Sequence, residues 1–336
     1  RVVINEITRD ELEKIINESN SNVFLKRDEE LSIKNDDVLV ASTGVIGVPL
    51  NIDAIKDGIP QLVGSLSSNI ESAKNASMAI MTTDTIEKQA GVEIELNGKK
   101  VTIAAMAKGS GMIHPNMATM LVFITPDASI SPEMLRKALS GDIADTFNMI
   151  SIDGDTSTND MVTVLASGMA ENTEITEQND DFKIFMKALN TVTVALCRMI
   201  AGDGEGATKL LECEVGGAKD KQTAKTVAKS VICSSLLKAA MVGADANWGR
   251  VLCAIGYSGA DVDVDKIDVA FKSKAGQIEV CKNGSGVDFS EDMAKKILSE
   301  KEIEILVYLN SGEQKSTAWG CDLTYDYVKI NGDYRT

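Results

Sequence analysis

The dipeptide Asn97-Gly98 is the strongest local constraint on the fold. It stands between two alternating segments, Val92–Leu96 and Lys99–Ala105. Asn-Gly supplies the two positive φ angles of a type I′ turn, so the spacing predicts a β-hairpin. An antiparallel hairpin in a chain of 336 residues excludes a regular βαβ repeat. Further strands are expected at Val38–Ala41, Leu121–Thr125, Asp160–Ala166, Leu211–Val215, Val251–Tyr257, Ile267–Phe271, Gln277–Cys281 and Glu302–Leu309. Helical spacing or capping predicts helices over Ser65–Met81, Ser131–Leu139, Asp181–Ile200, Gln222–Met241 and Ser290–Leu298. The tally reads as an α+β protein with sheets layered between helices, and the best boundary by composition falls near Thr125–Ser131.

Charge narrows the partners. Lys and Arg number 34 against 50 Asp and Glu, a net charge of −16 that repels phosphate backbones and anionic lipid. No run of about 18 apolar residues is present, so no membrane span is expected. Six scattered cysteines without a C-x-x-C pair argue against zinc or a redox dithiol, and fit small core residues in a reducing, cytoplasmic compartment. No signal peptide is visible, and the chain begins at Arg1 rather than Met.

Chemistry has few places to reside. The single histidine, His114, stands beside Pro115 and reads as a loop or structural residue. Asp153–Asp160 begins like a calcium loop, but Thr158 replaces the turn glycine and Val164 the bidentate glutamate. It reads instead as a capped turn leading into the strand at Met161. Gly202–Lys209 lacks the ending of a phosphate loop, and Asp203 and Glu205 would repel phosphate. Its alternatives are a tight turn, or a closely approached backbone on which Glu205 receives a cationic group. Ser42-Thr43-Gly44 could place a hydroxyl and an N–H on a developing oxyanion. A remaining nucleophile is a Thr or Ser whose own α-amine is the base, since that amine titrates near about 7.7–8.0. Such a residue must first become a terminus by chain scission. Composition does not select which one.

Seven ordered blocks resemble the bacterial ornithine acetyltransferases, the bifunctional arginine-biosynthesis (glutamate N-acetyltransferase) family. They are Ala41–Gly47, Met81–Thr85, Lys108–Leu121, Asp153–Asp160, Gly202–Lys209, Gly243–Arg250, and Ala318–Val328 running on to Asn331–Thr336. The resemblance runs from about Asp37 to the C-terminus. It implies a layered helix–sheet–sheet–helix sandwich of the self-processing N-terminal-nucleophile type, cut between Ala118 and Thr119. The pieces would be a 1–118 α fragment and a 119–336 β fragment, together one catalytic unit with room for a smaller C-terminal subdomain.

On that resemblance Thr119 is the nucleophile and Thr43 and Gly44 form the oxyanion hole. Thr82, Lys108, Thr119, Glu205, Asn331 and Thr336 contact substrate. The implied reaction is ping-pong transfer of acetyl from N-acetylornithine to glutamate through an acetyl-threonine, with no metal or cofactor. Acetyl-CoA stays open as a second donor, and two α with two β chains are the implied assembly. The alternatives are a self-cleaving aminopeptidase or amidohydrolase, and an inactive, uncut relative. Family members carry some tens more residues before the Ser-Thr-Gly block, and Arg1–Lys34 does not match them, so a divergent or truncated front end is expected.

Overall fold

The computed structural model describes residues 38–114 and 120–333. The chain divides into two compact units, residues 1–79 with 334–336, and residues 80–333. No division falls at Thr125–Ser131: the strand that ends there is paired on both sides within the second unit. The expected scission point, Ala118–Thr119, and the expected contact Thr336 lie outside the described residues.

The first unit contributes two helices, α1 (Ile52–Gly64) and α2 (Ile70–Ala79). The single helix expected over Ser65–Met81 is broken before Ile70. Ser65 closes α1, and the Asn69 side chain accepts from the Ser72 N–H at 2.7 Å to start α2. The sequence hides α1 because Pro60, normally a breaker, sits inside it. The strand expected at Val38–Ala41 does not form. Leu39 and Val40 are exposed and find no partner strand among the described residues, and a strand exists only by pairing.

In the second unit the Asn-Gly hairpin appears as expected. Strands β1 (Lys88–Leu96) and β2 (Lys99–Lys108) pair with Leu96 opposite Lys99, and Asn97 and Gly98 take φ of 51° and 74°. With β3 (Leu121–Pro126), β4 (Ile150–Ser151) and β5 (Met161–Val164) defined, the smaller sheet runs β1-β2-β3-β5. The larger sheet adds β6 (Leu210–Ala218), β7 (Asp268–Ser273), β8 (Gly276–Lys282), β9 (Ser285–Gly286), β10 (Glu302–Tyr308) and β11 (Gln314–Cys321). Its order is β4-β11-β6-β10-β7-β8-β9. The α+β class with two sheets is therefore observed.

Helices cover the sheets. They are α3 (Pro132–Ile143), α4 (Asp180–Gly202), α5 (Lys221–Cys233), α6 (Ser235–Val242), α7 (Trp248–Gly256), α8 (Glu291–Leu298) and α9 (Tyr325–Asp333). The helix expected over Gln222–Met241 splits at Ser234. That residue turns extended and its hydroxyl accepts from the Leu237 N–H, capping α6. Val251–Tyr257 is helical rather than a strand. Asn247 caps α7 by accepting from the Arg250 N–H, and a short apolar run does not by itself separate helix from strand. By length and composition α4 could cross a bilayer, although it holds no unbroken apolar run of that length. It is a core helix: Phe185, Leu189, Leu196 and Ile200 are buried, and it packs on β1 and β2 of one sheet and on β11 and β6 of the other.

Strand alternation places α4 and α5 on opposite faces of β11. A Cβ on Gly320 would meet Ile232 of α5, whereas the next residue, Cys321, points its Sγ at Gly204 just past α4. The turn after α4 and the end of β2 are thereby held in one region, where the candidate site lies.

Candidate active site

β2 ends at Lys108, whose side chain is buried (3% exposed) and donates to Thr82 Oγ1 at 2.9 Å. Both belong to the expected substrate contacts. Around them lies a chain of buried polar contacts. Asp84 accepts from the Gly109 N–H at 2.6 Å and from the Thr82 N–H at 3.2 Å, so one carboxylate orients the segments that carry Thr82 and Lys108. Lys88, fully buried, donates to Asp84 at 2.6 Å and to Asp203 at 2.5 Å. Asp203 also accepts from the Thr85 N–H at 3.0 Å and from the Thr85 hydroxyl.

The same chain continues to Glu205. The Ser110 hydroxyl donates to the Asp203 carbonyl at 2.7 Å, and the Glu205 N–H donates to the Ser110 carbonyl at 2.9 Å. Asn331, on α9, donates to Glu205 Oε2 at 2.8 Å. The fit depends on two glycines. A Cβ at Gly111 would overlap the Glu205 carboxylate. Gly206, at φ 69°, lets α9 approach so closely that a Cβ there would sit 2.6 Å from the Tyr327 nitrogen. Gly202–Lys209 forms the tight turn, closed by the Ala207 N–H donating to the Gly204 carbonyl at 2.8 Å, and its backbone is also closely approached around the buried Glu205.

Burial lowers the Lys108 ammonium from its ordinary range, and Asp84 and Glu205 only partly offset this. Burial pushes Asp84 up, but the Gly109 N–H and the Lys88 ammonium prevail and hold its carboxyl below the usual value. A carboxylate brought to Lys108 would favour the cation that burial disfavours.

The block Asp153–Asp160 brackets the segment that holds the expected cut. Asp153 accepts from the N–H groups of Met112 and Ile113 at 2.6 and 3.0 Å, on one side of it. Asp160 accepts from the Met120 N–H at 2.6 Å on the other. This is the capped turn that the sequence implies, and among the described residues no acidic or thiol cluster could hold a metal ion. His114 reads as structural: Nδ1 lies 3.0 Å from Ser151 Oγ and 3.5 Å from Cys233 Sγ, and burial and Lys229 lower its pKa.

Thus the structure brings together Thr82, Lys108, Glu205 and Asn331. Thr43 and Gly44 belong to the first unit, where Gly44 precedes a turn closed by Val48 N–H to the Val45 carbonyl at 3.0 Å. Ala118, Thr119 and Thr336 lie outside the described residues. Sequence reasoning missed Lys88, Asp84, Asp203 and Asp160 as organisers. Lys88 sits in Glu87-Lys88-Gln89, three polar residues with no motif among them, and only tertiary pairing reveals it as buried.

Known proteins place the chain in a family. The ArgJ family model matches residues 17–336, reaching further forward than the motif blocks. The arginine biosynthesis bifunctional protein ArgJ 1 of Clostridium acetobutylicum is 55% identical over 306 residues, covering 91% of this chain and 74% of that protein. ArgJ of Caldanaerobacter subterraneus is 54% identical over 308 residues, covering 92% and 76%. A crystal structure of the arginine biosynthesis bifunctional protein from Bacillus halodurans superposes with a TM-score of 0.62 at 50% identity, covering 64% of this chain and 100% of that one. With nearly its whole length matched by the family model and more than half of the aligned residues identical in two curated relatives, the chain belongs to the ArgJ family.

Proposed function

We propose that this protein transfers an acetyl group from N-acetylornithine to glutamate, in the cytoplasm, after cutting itself between Ala118 and Thr119. The observation that carries the reading is the buried pairing of opposite charge in one hydrogen-bonded cluster. Lys108 with Thr82 suits an amino-acid carboxylate, and Glu205 with Asn331 suits an ammonium. Both substrates carry these groups. Glu205 lies close enough to raise the Lys108 pKa, so the two subsites share one field.

Freed Thr119 would attack the acetyl carbonyl with its own amine as base, while the Thr43 hydroxyl and the Gly44 N–H hold the oxyanion. Ornithine leaves, and the glutamate amine then takes the acetyl group from the threonine ester. Thr336 joins the substrate contacts. No metal or cofactor enters these steps, and acetyl-CoA is a further donor in keeping with the relatives' "bifunctional" names. The chain length matched in the solved relative supports the scission reading. That whole chain covers 64% of this one, and a fragment from Thr119 would hold 218 of 336 residues, or 65%. Two α and two β fragments form the proposed assembly.

The test is ornithine release from N-acetylornithine with and without glutamate. Release that requires glutamate supports transfer. Release at equal speed into water alone makes the protein an amidohydrolase, and an uncut, inactive chain refutes both readings.

A further inference from the structure

The last helix, α9, buries none of its residues fully, so its position rests on a few contacts. Several of them meet at Tyr327. Its backbone nitrogen lies against Gly206, where a Cβ would come within 2.6 Å of it. Its carbonyl accepts from Asn331 Nδ2 at 3.1 Å. Its phenol donates to the Asp153 carboxylate. We propose, resting on the reading that Glu205 and Asn331 receive a substrate ammonium, that Tyr327 is a positioning residue. It holds Asn331 so that the amide offers only its oxygen beside the Glu205 carboxylate, and this makes that end of the site selective for an ammonium.

The orientation of the amide follows from its donors. An asparagine side chain has two N–H donors on its nitrogen and an oxygen that only accepts. One N–H goes to Glu205 Oε2 at 2.8 Å, and the other to the Tyr327 carbonyl one helical turn earlier. Turned over, the amide would set its oxygen against both, acceptor against acceptor. With the two donors used, Oδ1 is the atom left to meet a ligand. Glu205 Oε1 takes no hydrogen bond from a described residue either. Two acceptors without a donor suit a cation that carries several N–H groups.

The Tyr327 side chain supplies the anchor. The ring is half-buried, and burial together with the carboxylates of Asp153, Asp155 and Glu205 raises its pKa, so the hydroxyl remains a donor. Asp153 in turn accepts from the Met112 and Ile113 N–H groups at 2.6 and 3.0 Å. Tyr327 therefore ties α9 to the turn that follows Gly111, whose missing Cβ leaves room for Glu205. At the entrance to the helix the Thr324 hydroxyl donates to the Gly206 carbonyl at 2.6 Å. Thr324 and Tyr327 thus fix the first turn of α9, and Asn331 follows one turn on. Tyr325, on the same helix, is 92% exposed and provides a control.

The experiment measures KM for N-acetylornithine and the inhibition constant of N-acetylnorvaline, which has the same carbon chain without the ammonium. Tyr327→Phe keeps the half-buried ring and removes only the hydroxyl. It is expected to raise KM for N-acetylornithine about 10- to 100-fold, the range for loss of a hydrogen bond to a charged group. The inhibition constant of N-acetylnorvaline is expected to stay unchanged, and Tyr325→Phe to alter neither quantity. An unchanged KM in Tyr327→Phe overturns the proposal. So does an equal rise in both constants, which marks a general loosening of the site and no selectivity for the ammonium. A Tyr327→Phe chain that unfolds in urea well before wild type and loses both ligands alike overturns it too, since the hydroxyl then serves the fold at large. Glu205→Gln tests the underlying reading separately. It is expected to raise KM for N-acetylornithine, and an unchanged KM there removes that reading whatever Tyr327→Phe does.

Discussion

Lys88 Nζ lies 2.5 Å from Asp203 Oδ2, with the lysine side chain wholly and the aspartate almost wholly shielded from solvent. The same ammonium reaches Asp84 at 2.6 Å, so one buried cation ties the approach to β1 to the turn after α4. Because Asp84 holds the Gly109 N–H and the Asp203 carbonyl holds Ser110, this pairing governs the backbone between Lys108 and Glu205.

Lys88→Met leaves two buried carboxylates without their cation. Breaking a buried pair in this way typically costs about 3–5 kcal/mol. Urea denaturation is expected to show a loss of that order, together with loss of turnover. A variant as stable and active as wild type contradicts the organising role of Lys88.

Gly111→Ala drives a methyl group into the Glu205 carboxylate. Glu205 has to move, and its hydrogen bond from Asn331 moves with it. A charge-assisted hydrogen bond is worth about 1.5–3 kcal/mol, so KM for N-acetylornithine is expected to rise about 10- to 100-fold. Steady-state kinetics check this. An unchanged KM excludes Glu205 as a substrate contact.

Asp160 makes stability depend on pH in a definite direction. Its folded carboxyl titrates at about 7, above the unfolded value, so between the two the folded state binds the extra proton. Stability from this group is present at low pH and is lost as pH rises through about 7, by about 4 kcal/mol at most. Asp84, held below its ordinary value, works oppositely: its contribution is present above the unfolded pKa and fades as pH falls through the folded one. Asp160→Asn is therefore expected to narrow the stability difference between about pH 5 and about pH 8, measured by urea unfolding. An unaltered difference contradicts a buried, protonating Asp160.

Local signals proved legible where one residue dictates the backbone. Asn97-Gly98 forced the hairpin, Ser131 with Pro132 opened α3, and Ser290 capped α8. They failed where tertiary context decides. The Val251 run is helical because Asn247 caps it, Ser234 breaks an otherwise continuous apolar stripe, and β11 forms because β4 and β6 flank it. The site divides in the same way. Lys108, Glu205, Thr82 and Asn331 lie within recognisable blocks, whereas Lys88 gains its role only from two carboxylates, one of them 115 residues away. No local pattern carries such a pairing.

The central claim is that the chain is cut before Thr119 and that the new terminus carries the acetyl group. Intact mass spectrometry of the purified protein, before and after N-acetylornithine, tests it most directly. The account predicts fragments of 118 and 218 residues, with a gain of about 42 Da, one acetyl in place of hydrogen, on the larger alone. A single uncut mass that still turns over substrate, or an acetyl gain on the smaller fragment, contradicts it.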